Sequence, residues 1–320
     1  MRDRVLVTGA GGFIGKNIVF NQKFTALFET VACYREPPTI YPANTEISVG
    51  DLSNPQNLAG LFDGVDSMIH LAGVSITANS SPKERLDRIE LSMNMNDVIL
   101  EELCKSNVKR VLWLSSTTGY PSRSYPLIED MFFQDQPHSR YLEVGGMFRS
   151  LERLLVRRLR DESGINLIVL RPSAVFGEFA DLDASAPHVL TSFVKEMMSL
   201  RRRSCVKADP IEARDWLYVG DLVNAIISIM VSPIQNTTLN VGSGRLTSMF
   251  ELHRQIVEIL GLEEKVRVEA TKMEKTESLV RSIDTSFSKH LLGNYSKTSL
   301  KQGLERMIGW YTERSDPGMQ

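Results

Sequence analysis

Gly9, Gly12 and Gly15 recur at every third position directly after the apolar run Val5-Leu6-Val7-Thr8. Glycines so placed let the backbone turn sharply, come close to a pyrophosphate and pack the following helix tightly on a sheet. The amino terminus of that helix then faces the anion. Gly9, Gly11, Gly12, Phe13, Ile14 and Gly15 are therefore candidates for holding a nucleotide through its phosphates, because the cluster ends a strand and opens a helix through Val19. Other chemistries have less support. The five histidines show no paired helical or metal-ligand spacing, so no metal site is expected. Cys33, Cys104 and Cys205 are odd in number and lack a Cys-x-x-Cys pair, which reads as reduced thiols. Arg201-Arg202-Arg203 reads as a solvated helix end.

A sheet must stand behind such a loop. Short apolar runs at 5–8, 30–33, 67–71, 110–115 and 166–170 alternate with helical patterns, which predicts an α/β fold with a Rossmann-like, doubly wound parallel sheet. Helix signals cover 82–106 and 144–162, where Leu151, Leu154, Leu155 and Leu159 form a core stripe. After Arg171-Pro172 comes a loop rich in Asp, Ala and Pro over 178–187, then a helix to about Leu200. The expectation is a dinucleotide-binding domain over 1–172, with 210–245 returning to it through the runs 216–230 and 238–241. Residues 173–209 and 246–320 would form a smaller, interleaved C-terminal substrate lobe. A last helix from about Ser299 puts Leu300, Leu304, Met307, Ile308 and Tyr311 on one docking face. Lys+Arg 37 against Asp+Glu 39 leaves a net charge of −2, without the basic field that collects nucleic acid or acidic membranes. Small-molecule partners are favoured, and no apolar stretch approaches a membrane span or leader, which points to the cytoplasm.

Several further motifs accompany the loop: Gly50-Asp51-Leu52, His70-Leu71-Ala72-Gly73, Ser115-Ser116-Thr117-Thr118, Leu170-Arg171-Pro172, Arg214-Asp215-Trp216 continuing to Asp221-Leu222, and the closing Asp284-Thr285-Ser286-Phe287. With Thr8–Gly15, their order resembles the extended short-chain dehydrogenase/reductase family, in its NAD(P)-dependent nucleotide-sugar epimerase, dehydratase and reductase branch. The resemblance spans nearly the whole chain. It implies that Asp51 and Leu52 lie at the adenine, that Leu71, Ala72 and Gly73 lie along the cofactor, and that Ser115 and Pro172 border it. It also implies a nucleotide-sugar substrate touched by Ser116, Thr118, Ser173 and Arg214, and a homodimer formed through the two helices at 82–106 and 144–162. Asp51 has a second reading as a turn cap, and Arg214 a second reading as an arginine beside Glu212. Asp221 reads as a helix cap. At the end of the second strand, an acidic side chain would take the ribose 2′-hydroxyl. Tyr34-Arg35 stands there, and Arg35 suits a 2′-phosphate, which favours NADP over NAD, while Glu36 one residue on keeps NAD open.

The resemblance also implies a tyrosine that passes a proton while hydride moves, with a lysine one helical turn later. A tyrosine has an ordinary pKa of about 10, so working near pH 7 asks for roughly 4 kcal/mol of help. Aligning by Glu152 places Val144 at the tyrosine and Phe148 at the lysine. Sliding by three residues makes Tyr141 the tyrosine but puts Gly145 at the lysine. Arg149 lies about 12 Å beyond Tyr141 along a helix and is a poor substitute. Thr117, with Thr118 in reserve, is the hydroxyl partner, and Tyr120 is a nearby second phenol. Two readings follow: an enzyme using Tyr141 with Thr117, or a dinucleotide-binding sensor or assembly protein that has lost the proton relay.

Overall fold

Val5, Leu6 and Val7 are wholly buried, as expected of a parallel strand covered on both faces. The computed structural model describes residues 2–74, 81–123, 125–181, 189–200, 202–271 and 280–315. In chain order the strands are β1 (Arg4–Thr8), β2 (Glu29–Tyr34), β3 (Thr45–Val49), β4 (Ser67–His70), β5 (Arg110–Leu114), β6 (Asn166–Pro172), β7 (Ala174–Phe176), β8 (Ser204–Ala208), β9 (Ala213–Tyr218), β10 (Thr237–Val241), β11 (Leu246–Ser248), β12 (Val266–Ala270) and β13 (Val280–Arg281). The helices are α1 (Phe13–Val19), α2 (Gln22–Leu27), α3 (Pro82–Lys105), α4 (Leu142–Leu155), α5 (Val189–Met198), α6 (Val219–Met230), α7 (Met249–Ile259), α8 (Ser286–Leu292) and α9 (Leu300–Ser315).

A seven-stranded sheet runs in the order β10-β6-β5-β4-β1-β2-β3. The pairs β1–β2, β2–β3, β1–β4, β4–β5 and β5–β6 are parallel. Strand order therefore reverses between β1 and β4, and ligands of doubly wound sheets bind outside the carboxyl ends of the strands at such a reversal. The loops that leave β1 and β4 there are the glycine cluster and Leu71-Ala72-Gly73. β3 is a strand the apolar runs did not reveal. It is an edge strand of Thr, Glu, Ile, Ser and Val with only partial burial, so it never becomes a continuous apolar run.

One face of the sheet is sealed by Ile99, Leu100 and Leu103 of α3 and by Leu151 and Leu155 of α4, packed on Leu6, Met68, Val111 and Trp113. Burial of each such side chain contributes about 1.5–3 kcal/mol. α3 starts where the sequence says it should: Ser81 accepts from the Glu84 amide at 3.3 Å, Glu84 accepts from the Ser81 amide at 2.8 Å, and Pro82 opens the first turn. α4 begins at Leu142, two residues before the sequence signal, and after Leu155 the chain winds into a π-helical turn, Val156–Glu162. Leu151, Leu155 and Leu159 of the leucine stripe are buried, and Leu154 packs at their edge.

The chain forms two compact units. The first comprises Met1–Pro121, Glu129–Pro172 and Ile226–Leu239, and the second Ser122–Ile128, Ser173–Ala225 and Asn240–Gln320. In the second, β9 pairs antiparallel with β11 and parallel with β13 and β7, and β8 pairs with β12. The stretch 216–230 thus divides between β9 and α6, while β10 joins the large sheet. α9 buries Leu304, Met307, Ile308 and Tyr311. Most of the loop 178–187, and Arg201, lie outside the described residues. The three cysteines are unpaired, and among the described residues no helix is long and apolar enough to cross a membrane.

Candidate active site

Gly9 has φ +67°, and a Cβ there would lie 2.7 Å from the Ala72 nitrogen. A Cβ on Gly15 would lie 2.1 Å from the Gly9 carbonyl oxygen. The loop after β1 therefore closes on itself and on the turn after β4 only because these positions are glycine. Gly12 caps α1 with extended backbone, and Gly11 and Gly12 are exposed, with Phe13 and Ile14 half-buried behind them. A polar chain ties the two loops together. Thr8 Oγ1 accepts from the amides of Leu71 and Ala72 at 3.3 and 3.4 Å and stands 2.8 Å from His70 Nδ1, while His70 Nε2 stands 3.1 Å from Asn96 Oδ1. With its lone pairs engaged, the Thr8 hydroxyl donates to Nδ1, and His70 carries its proton on Nε2 toward Asn96. His70 is completely enclosed and lies 3.9 Å from Trp113 between ring centroids. Burial holds its pKa down at about 4, against a smaller opposing pull from Asn96, so the neutral imidazole is the working form.

At the end of β2 the Tyr34 ring packs over Gly11, where a Cβ would meet Tyr34 Cδ1 at 3.2 Å. Its hydroxyl is buried without a hydrogen-bond partner. Arg35 is exposed beside it. Asp51 is exposed, and its carboxylate accepts from the amide and hydroxyl of Ser53 at 2.9 and 2.8 Å. The Ser53 amide first, then its hydroxyl, hold the Asp51 carboxyl below its usual range, with a lesser pull from Arg35. Asp51 thus caps its turn, and Leu52 is in the core.

The loop after β5 is held by a buried ion pair. Ser115 Oγ donates to Glu152 Oε1 at 2.5 Å, and Glu152 receives Arg171 Nε at 3.0 Å and Nη2 at 2.5 Å. Arg171 also donates to the Tyr120 hydroxyl at 3.0 Å and to the Glu129 carbonyl at 2.9 Å, and its guanidinium lies 3.6 Å from the Phe132 ring centroid. Each guanidinium nitrogen finds a partner, the condition under which a buried pair is tolerated. Tyr120 is in the core, its phenol spent on Arg171. Glu152 fixes how α4 faces the loop, and one and two turns earlier on the same side stand Phe148 and Val144.

Gly145 of α4 meets the Ser116–Gly119 loop directly: a Cβ there would lie 2.5 Å from the Thr118 carbonyl oxygen and 2.8 Å from Pro137. A lysine does not fit at 145. Arg149 donates to the carbonyls of Gly119 at 2.6 Å, Gln134 at 3.1 Å and Asp135, so its guanidinium is a strap on this loop. Thr117 is buried at the start of a single 3-10 turn, Thr117–Gly119. Ser116 Oγ accepts from the Thr118 amide at 3.2 Å and from its hydroxyl at 3.0 Å. Tyr141 is half-buried at the entry to α4, four residues before Gly145. Pro172, at the end of β6, is buried.

In the second unit, β9 separates its residues by face. Asp215 is buried and accepts from Ser173 Oγ at 3.1 Å, the Ser243 amide and hydroxyl at 2.8 and 2.7 Å, and the Gly244 amide at 2.8 Å. The Ser173 hydroxyl is therefore a brace for Asp215. On the other face, Arg214 Nη2 donates to Glu212 Oε1 at 2.7 Å, and Arg214 Nε is buried without an acceptor. Arg281 of β13 stands in register with Arg214, which puts two arginines abreast. Sequence reading missed Arg281 because the adjacency exists only once β13 pairs with β9. Asp221 does not cap its own helix: it accepts from the amide and hydroxyl of Thr298 at 2.9 and 3.1 Å, binding a distant segment.

A glycine-lined turn at the reversal point of a doubly wound parallel sheet defines a dinucleotide-binding α/β protein. The chain belongs to the NAD dependent epimerase/dehydratase family, whose model matches residues 5–242. It is 27% identical to a putative UDP-glucose 4-epimerase of Methanocaldococcus jannaschii, over 96% of this chain and 97% of that one. It is 24% identical to a dTDP-4-dehydro-6-deoxy-D-allose reductase of a Streptomyces species, over 96% and 95% of the two chains. Among solved structures, the UDP-glucose 4-epimerase of Thermotoga maritima with UDP-glucose superposes with a TM-score of 0.83 at 22% identity, covering 98% of this chain and all 100% of the other. The UDP-glucuronic acid 4-epimerase of Bacillus cereus, with UDP-glucuronic acid and NAD, gives 0.81 at 20% identity over 97% and 99%. These relatives and neighbours are nucleotide-sugar epimerases and reductases of the extended short-chain dehydrogenase/reductase branch.

Proposed function

We propose that this protein is an NAD(P)-dependent oxidoreductase or epimerase that works on a sugar carbon of a nucleotide sugar in the cytoplasm. The observation that carries the substrate class is the pair Arg214 and Arg281, in register on neighbouring strands, because paired guanidinium forks suit the oxygens of a diphosphate. The glycine cradle fits the cofactor: Gly9 and Gly15 have no room for a Cβ, and Tyr34, whose ring packs over Gly11, has a buried hydroxyl without a partner that a ribose hydroxyl would supply. When bound, the nicotinamide supplies a hydride donor or acceptor. Gly9, Gly11, Gly12, Phe13, Ile14 and Gly15 hold its diphosphate, Leu71, Ala72, Gly73, Ser115 and Pro172 border it, and Asp51 and Leu52 flank the adenine. The exposed Arg35 favours a 2′-phosphate and hence NADP. Thr117 and Tyr141 hold and pass the proton at the sugar hydroxyl, with Ser116, Thr118 and Ser173 lining the substrate. Leu86, Leu91 and Leu142, exposed on α3 and α4, support a homodimer through these helices.

Gly145 pressed on the Thr118 carbonyl, and Phe148 one turn before Glu152, leave α4 without a lysine for Tyr141. Proton transfer then rests on Tyr141 and Thr117 alone. The test mixes purified protein with NADPH or NADH and candidate 4-keto or 4-epimeric nucleotide sugars, following absorbance and product. Turnover that falls in Tyr141→Phe and Thr117→Val supports the assignment, and turnover that survives both removes it. Tight cofactor binding with no nucleotide sugar turned over would leave a binding protein, favoured by Val144 and Phe148, in place of an enzyme.

A further inference from the structure

The Arg214 fork is half used. Glu212 meets it through one Nη2 to Oε1 bond of 2.7 Å, and the adjacent Nε–H, pointing to the same side of the planar fork, is buried with no acceptor. Both side chains keep under a fifth of their surface exposed, 17% for Arg214 and 18% for Glu212. Two residues along β9 on the same face, about 7 Å away by strand geometry, Trp216 is 6% exposed and its indole Nε1–H is likewise buried with no acceptor. The Arg214 guanidinium lies 6.0 Å from the Trp216 ring centroid. Two unanswered donors on one strand face are uncommon, since buried polar groups are otherwise nearly always paired. They describe a ligand richer in acceptors than a single carboxylate.

We infer that Glu212 is an internal counter-ion that the diphosphate of the nucleotide sugar displaces from Arg214, and that Trp216 Nε1 is a further donor to that diphosphate. The inference rests on the nucleotide-sugar reading above. Two nonbridging phosphate oxygens engage Nε and Nη2 side by side, the geometry guanidinium favours, whereas Glu212 answers only one of them. The second phosphate group reaches toward Trp216. Displacing Glu212 costs part of the binding energy. A diphosphate that answers both orphaned donors recovers it, and a monophosphate, with fewer oxygens, recovers less. Glu212 thereby lowers the affinity of every anion that takes the Arg214 fork, and the preference for a diphosphate comes from its reach to the second orphaned donor.

Calorimetry with UDP and UMP as probes on the full chain tests this. Glu212→Gln is expected to bind UDP and UMP each roughly five- to tenfold more tightly, and Trp216→Phe to bind UDP about three- to tenfold more weakly while changing UMP less. Both variants should bind NADPH or NADH as the unaltered protein does, which separates a local effect from misfolding. If Glu212→Gln leaves UDP affinity unchanged, the counter-ion inference is overturned while the nucleotide-sugar reading stands. If neither UDP, dTDP nor GDP binds the unaltered protein or Glu212→Gln, both are overturned. A Glu212→Ala variant that fails to reproduce the tightening of Glu212→Gln also counts against displacement.

Discussion

Acidification acts on the buried His70. Its pKa of about 4 in the folded protein lies below the value near 6.5 for an exposed histidine. Across that interval the unfolded chain holds more protons than the folded one, so stability rises with pH. The contribution of the neutral imidazole is complete above about pH 6.5 and is lost as pH falls toward 4. At pH 5 the loss is about 2 kcal/mol relative to pH 7. His253 behaves in the same direction for the same reason: it is buried, stacks 3.8 Å from Phe193, and has its pKa pushed down to about 4, with neither ring nitrogen hydrogen-bonded. The two histidines belong to different units, so their effects should add. Protonating His70 would also break the chain from Asn96 to Thr8 that pins the glycine loop to the Leu71–Gly73 turn. Imidazole NMR titration reads each pKa directly, and urea unfolding at pH 7 and pH 5 reads the free energy. A His70 midpoint near 6.5, or equal unfolding free energies at the two pH values, would refute the reasoning.

Gly15→Ala places a Cβ 2.1 Å from the Gly9 carbonyl, so dinucleotide binding should fall by at least a hundredfold in a fluorescence titration. Arg171→Met strands Glu152 as a buried charge and should lower unfolding stability by about 3–5 kcal/mol, read by urea melts. Arg35→Ser should weaken NADPH binding about tenfold and leave NADH nearly unchanged, and equal losses for both would argue against a 2′-phosphate contact. Gly145→Lys should destabilise the protein rather than restore a proton relay, because its Cβ has no room beside Thr118.

The glycine-loop region of the molecule was written locally. The apolar run 5–8, the glycine triplet and the run that becomes β4 are each legible in a few consecutive residues, whereas the β1–β4 register that brings them together appears only in the sheet. β3 escaped because an edge strand needs no continuous apolar run. Arg281 and the Arg214–Trp216 face escaped because they depend on which distant strands pair. Glu212 beside Arg214 was visible at two residues' separation, but the orphaned Nε was not. Asp221 shows the reverse error: its place at a helix start suggested a cap, and a distant segment, Thr298, takes the carboxylate instead. The displaced Tyr–Lys pattern was legible as a mismatch, and the structure supplies its physical reason in Gly145 and in the Glu152 anchor.

The most direct test of the central claim follows a label. The purified protein is incubated with reduced dinucleotide deuterated at nicotinamide C4 and a panel of 4-keto nucleotide sugars, and products are weighed by mass spectrometry. The protein should carry one deuterium onto the sugar, and Tyr141→Phe should lose that transfer. Dinucleotide and nucleotide sugar that both bind while the label never moves would contradict the claim.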